Sequence, residues 1–207
     1  AACSPASTPG TAAPASYSAD EVAAETARLN TWFEEEFEEQ VAFSPVQQTF
    51  LGRKTNYGKI DDLSQAAADE QLAWQKASVE QMKADFDYEK LTPDAQLSWD
   101  IWEYQYEAAV AADQFRLNDY IFEQMGAVYT QFPRILIAVH KVENQADMEA
   151  YISRLSESGR AINQLIDLSK TNAQAGVRPP RFSFESVILS AQKVITGAPF
   201  DDGADSA

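Results

Sequence analysis

The chain has little of what catalytic centres are commonly built from. Its 207 residues include one cysteine, Cys3, and one histidine, His140. A single Cys excludes an internal disulfide and a Cys-based zinc site. A single His excludes H-E-x-x-H, whose two histidines must stand one helical turn apart to share a zinc ion. It also excludes the paired Glu-x-x-His motifs of a di-iron helix bundle. Ser–His or Cys–His nucleophilic catalysis needs the His beside an activated nucleophile, and no G-x-S-x-G elbow is present. P-loop, G-x-G-x-x-G and EF-hand patterns are missing too, and with them the usual phosphate and calcium cradles. Cations are scarce: Lys and Arg number 16 against 32 Asp and Glu, giving a net charge of -16. Such a surface cannot neutralise phosphates, which argues against nucleic acid and against flat docking on an anionic membrane. Apolar runs are short. Ile135–Val139 falls far below the 18 or so residues that a membrane-spanning helix needs.

What the chain does have begins at its N-terminus. No charged residue occurs from Ala1 to Ala19. Apart from Cys3 and Tyr17, residues 1–17 are all Ala, Ser, Thr, Pro or Gly. This composition cannot offset the entropy of ordering, so residues 1–17 are predicted to be a flexible tether. Ala-Ala-Cys3-Ser resembles the end of a bacterial lipoprotein signal peptide, where the Cys is acylated and becomes the mature N-terminus. The expectation is a cell-envelope protein held to the membrane by a lipid anchor at Cys3, facing the periplasm or exterior. As a flexible coil the tether reaches on the order of 20 Å.

The rest reads as all-α, a bundle-like array of helices over residues 18–197, because period-2 alternation appears nowhere. Ser18-Ala-Asp-Glu21 fits a capping box that opens a helix with Val22, Leu29, Trp32, Phe33 and Phe37 as its stripe. Ser44-Pro45 starts a short helix, and Gly52 and Gly58 punctuate a loop up to Leu63. A second long helix is predicted from Ser64 to Phe86. Thr92-Pro93-Asp94 is an N-cap with proline at the first helical position. The helix that follows carries Leu97, Ile101, Tyr104, Ala108, Ala111 and Phe115. This 4-3-4-3-4 spacing is the clearest apolar stripe in the chain and predicts its buried face. Pro133 predicts a short helix through His140. Asn144 caps a long helix whose stripe includes Met148, Tyr151, Ile152, Leu155, Ile162, Leu165 and Ile166, stopped by Gly176. Ser183 predicts the start of a last helix, ended by Gly197. Residues 198–207 form an acidic tail, read as a point where a longer chain is cut.

The candidate chemistry is sparse. Glu34, Glu35, Glu36, Glu38 and Glu39 cannot converge on a calcium ion, because successive helical residues point around the axis. No pair of carboxylates stands out for glycoside hydrolysis. His140 lies at the end of an apolar segment, where it either bonds terminal carbonyls in a structural role or acts as a ligand. Aromatics are dense from Trp99 to Tyr129. Trp99, Trp102 and Tyr106 either pack in a core or against another domain, or line a groove for a ligand. Arg178-Pro-Pro-Arg181 is a rigid connector with two cations, capable of recognising a carboxylate. These residues give no catalytic site, metal ligand or cofactor site.

Several stretches in order resemble a bacterial family of lipoproteins and secreted proteins labelled domain of unknown function 885. They are Ser44-Pro45 with Thr49-Phe-Leu-Gly52, Tyr57-Gly, Asp61-Asp-Leu-Ser64, Leu91-Thr-Pro-Asp94 with Trp99-Asp100, Gln131-Phe-Pro133, Asn144-Gln-Ala-Asp147 with Tyr151-Ile-Ser-Arg-Leu155, and Ala175-Gly-Val-Arg-Pro-Pro180. The resemblance covers about residues 20 to 200. It implies a helical fold and a much longer protein resembling zinc metallopeptidases, with the zinc motif in a C-terminal half that this chain lacks. It therefore assigns no catalytic or zinc-ligating residue here. The implied role is an N-terminal helical region that shapes a cleft for a peptide substrate. The alternative from another class is a non-catalytic helical module that binds a ligand or partner at the cell surface.

Overall fold

The computed structural model describes residues 17–125 and 128–196. Cys3, most of the tether, Gly126, Gly197 and the acidic tail lie outside them. The described residues are 75% helical, with seven α-helices and no strand among them. They are α1 (Ala19–Ala42), α2 (Pro45–Phe50), α3 (Gln65–Asp85), α4 (Pro93–Asp113), α5 (Gln131–Arg134), α6 (Gln145–Gln174) and α7 (Arg181–Lys193).

Local chemistry sets most of the boundaries. The Glu21 amide donates to Ser18 Oγ, and the Ser18 amide donates back to Glu21 Oε2 at 2.8 Å, closing the capping box of α1. Ser44, Ser64, Thr92 and Asn144 each accept from an amide in the first turn of α2, α3, α4 and α6. Gly176 follows α6 at φ +90, a conformation that glycine adopts without a Cβ penalty. Pro133 lies inside α5 rather than opening a helix, and Ile135–Val139 continues as a single π-helical turn. There the His140 amide donates to the Ile135 carbonyl at 2.8 Å. The last helix starts at Arg181, two residues before Ser183, because Pro180 ends the extended Pro-Pro connector. Tyr17, placed at the end of the predicted tether, is docked. Its hydroxyl donates to Asp87 Oδ2 at 2.9 Å, and the Lys90 ammonium sits 4.7 Å from its ring centre.

Two apolar clusters hold these elements. The first joins α1, α3 and α4 through Leu29, Trp32, Met82, Leu91, Ala95 and Trp99. The second joins Ile60, Ile121 and Phe132 to Ala161 and Leu165 of α6.

The stripe expected to bury α4 points the other way. Leu97, Ile101, Tyr104 and Phe115 are all exposed, Tyr104 by 68%. The buried face is Ala95 and Trp99, continued by half-buried Trp102 and Tyr106. Aromatic area decides the orientation. Trp102 meets Trp32, Phe33 and Trp74 at ring separations of 6.0, 5.4 and 6.3 Å, and its indole N–H donates to Ser78 Oγ. Large rings with a satisfied polar edge bury more area per residue than a Leu/Ile stripe.

On α6, part of the expected stripe is also exposed: Met148, Ile152, Leu155 and Ile166. The inward face holds Tyr151, Ala161 and Leu165, together with the polar Asp147, Arg154, Ser158 and Asn172.

Candidate functional site

The polar face of α6 exists because irregular chain packs on it. The 52–63 segment has no regular structure to satisfy its backbone, and a buried carbonyl without a partner is costly. Arg154 Nε donates to the Lys59 carbonyl at 2.9 Å, and Arg160 Nη2 to the Ile60 carbonyl at 2.9 Å. Gln164 accepts from the Leu63 amide and donates to Asp62 Oδ1. Asn172 donates to the Asp119 carbonyl of a second irregular stretch. A Cβ on Gly58 would stand 3.1 Å from Ser153 Cβ and Oγ, so the loop approaches α6 closely only through glycine.

Arg154 is the centre of this arrangement and is fully buried. Its Nη2 donates to Thr49 Oγ1 at 2.8 Å and its Nη1 to His140 Nδ1 at 3.1 Å. Its guanidinium lies 5.2 Å from the Tyr57 ring centre. Burial pulls the Arg154 pKa below its ordinary value, partly offset by Tyr57 and Asp61.

The same contacts fix the histidine tautomer. An arginine can only donate, so His140 Nδ1 accepts. Nε2 therefore carries the proton and donates to the Asp147 carbonyl at 3.1 Å. The ring stacks on Tyr57 at 3.9 Å and meets Tyr151 edge-on at 5.3 Å. Burial lowers its pKa, and the neighbouring Arg154 and Lys54 charges push the same way, against the Asp147 carbonyl and carboxylate. His140 is thus held neutral, the structural alternative of the two.

Above this centre lies a cleft of about 380 Å³, lined by Thr49, Lys54, Tyr57, Val139, Lys141 and Glu143 among others. Most of its charges are already paired. Lys54 Nζ bonds Asp147 at 2.8 Å and Glu143 at 2.7 Å, which holds the Asp147 carboxyl below its usual range and the Lys54 ammonium above its own. Arg53 pairs with Glu38. Tyr57 OH donates to the Lys141 carbonyl and accepts from the Lys141 amide. The arrangement locks α2, the loop and the π-turn onto α6.

The zinc ion implied by the family resemblance does not fit these residues. Both ring nitrogens of the only histidine are engaged, one by a buried guanidinium that would repel a cation. Among the described residues no group of three His, Cys, Asp or Glu stands ready to hold a metal.

The aromatic candidates part company. Trp99 is buried against Tyr88, with the rings 5.6 Å apart. Trp102 and Tyr106 are half-buried. Trp102 reaches two openings: a small one shared with Tyr106, and an outer groove with Phe33, Phe37, Ser98 and Ile101. Arg178 and Arg181 are exposed and flank the Pro-Pro stretch before α7, and among the described residues no hydrogen bond or cation–ring contact joins them to Trp99, Trp102 or Tyr106. The polar centre on Arg154 was not visible in the sequence. The sole available signal was Arg154 itself, a charge inside an apolar stretch between Ile152 and Leu155.

Glu36 is a further buried acid, on α1, with Oε2 lacking a partner. Burial raises its pKa, opposed by the Ser78 hydroxyl that also accepts from Trp102.

The family model described as "Bacterial protein of unknown function (DUF885)" matches residues 45–207. No curated protein and no solved structure matches the chain significantly. With most of its length covered from α2 onward, the chain belongs to the DUF885 family of bacterial proteins.

Proposed function

We propose that this chain is the N-terminal helical region of a cell-envelope lipoprotein resembling zinc metallopeptidases. It packs against the C-terminal half of the family's proteins, forms walls of the substrate cleft and has no catalytic centre of its own. One observation carries the reading. α6 and α7 present apolar side chains outward: Ile152, Leu155, Phe182, Ile188 and Leu189 are each more than half exposed. Large apolar side chains left exposed in this number on consecutive helices mark surface that another body covers. Cys3 would carry the lipid anchor, with Arg178 and Arg181 at the edge of the covered face. Trp102 and Tyr106 would be the aromatic contacts of the cleft wall.

Incubating the chain with a peptide panel tests the assignment of chemistry. No hydrolysis is expected with or without added zinc. Hydrolysis abolished by a chelator would overturn it. Mass spectrometry of the protein isolated from its native membrane tests the anchor: the expected result is an acylated Cys3, and an unmodified Cys3 contradicts it.

The second reading, a non-catalytic binding module at the cell surface, is favoured by the separate groove between α1 and α4.

A further inference from the structure

We propose that the groove between α1 and α4 is a docking site for a basic amphipathic helix of another polypeptide. Its floor is apolar: Phe33 and Phe37 from α1, Ile101 and Trp102 from α4, enclosing about 500 Å³ of open space. Phe37 and Ile101 are exposed although each is flanked by an aromatic neighbour. The floor continues along α4 through Leu97 and Tyr104, at the spacing with which a second helix would lay down its own apolar residues.

The surrounding charge selects the partner. α1 carries eight acidic residues, of which Glu36 is buried and Glu25 and Glu38 are paired with Arg, and α4 carries five, of which Glu103 and Asp113 are paired, with no Lys or Arg of its own. Glu34, at the groove itself, and Asp94, one turn before Ser98, have no cationic partner among the described residues. An anionic lipid surface is repelled by such a rim. A helix with an apolar stripe between Lys or Arg flanks meets both parts of it, with the stripe on the floor and the cations at the rim. Trp102 is shared with the cleft wall proposed above, so the test below is read at Phe37 and Ile101, which that reading does not use, and either proposal can fail alone.

The test titrates the full chain with synthetic 18-residue peptides and follows heat and tryptophan fluorescence. One peptide has Leu at i, i+3, i+4 and i+7 with Lys flanks. A second has Glu flanks, and a third is the Lys peptide scrambled to remove its apolar face. The Lys peptide is expected to bind roughly tenfold or more tighter than either control, and to weaken several-fold from about 0.05 to 0.3 M salt. Ile101→Asp and Phe37→Asp, both at exposed positions, are expected to abolish binding, whereas Ile188→Asp on α7 leaves it unchanged. Equal binding of the scrambled or Glu peptide overturns the proposal, as does failure of all three to bind or indifference to Ile101→Asp. Sedimentation of the chain alone completes it. Self-association lost in Ile101→Asp would assign the groove to a second copy instead.

Discussion

Helices α4 and α6 depart from the amphipathic rule in opposite directions. On α4 the most regular apolar stripe faces solvent and an aromatic face goes inside. On α6 the inward face is interrupted by Arg154, Ser158 and Asn172, while Ile152 and Leu155 stay out. The difference lies in what each helix packs against. α4 meets two other helices, whose backbones are satisfied internally, so ring area alone decides which face is buried. α6 meets the 52–63 loop and the stretch around Asp119, whose carbonyls need donors. The apolar residues left outside have no internal use, which is why both outward faces read as surfaces for other bodies.

Breaking the inner face of α4 should have the largest effect. Trp99→Ala removes a buried indole from the α1–α3–α4 cluster and is expected to cost about 3–5 kcal/mol in chemical denaturation.

Removing the polar centre comes next. Arg154→Met keeps much of the volume but strands the Lys59 carbonyl and His140 Nδ1, while Thr49 Oγ1 loses one donor and keeps its bond to the Pro45 carbonyl. Each stranded buried group costs about 1–3 kcal/mol before relaxation, and a total near 3 kcal/mol is expected. A neutral outcome would show that α6 tolerates an apolar inward face as α4 does.

The third effect depends on pH. Arg154 and Lys54, against the Asp147 carboxylate, face His140, with Tyr57 and Tyr151 packed on its ring. Its folded pKa lies below the ordinary value, so below about pH 6.5 the unfolded chain takes up a proton that the native state refuses. Stability should fall as pH drops from there towards the folded pKa, by at most about 1.4 kcal/mol per pH unit. The slope should disappear in His140→Gln. A slope unchanged in that variant would contradict the neutral tautomer.

Much of the fold was legible because short-range chemistry wrote it. The Ser18, Ser44, Ser64, Thr92 and Asn144 caps and the Gly176 stop lie within a turn of the boundary they set. The facing of α4 was not legible, since periodicity marks the Leu97, Ile101 and Tyr104 stripe as core, and only the partner helices select the Ala95, Trp99 and Trp102 face instead. Trp99, Trp102 and Tyr106 stood out in the sequence for their density, yet the choice between core and groove depended on Trp32, Phe33 and Trp74 from distant segments. The Arg154 centre was hidden for a similar reason. Its partners, Thr49, Lys59 and His140, come from three segments, and no local pattern links a helix arginine to a loop carbonyl.

The smallest expected effect on stability tests the central claim most directly. Ile101→Asp places a charge in the middle of the stripe that the sequence marks most strongly as core. If that stripe is an outer docking face, the denaturation midpoint should correspond to a change within about 0.5 kcal/mol of the parent. A loss of about 3 kcal/mol or more, the cost of disrupting a packed core position, would mean that α4 is turned the other way and the groove with α1 does not exist.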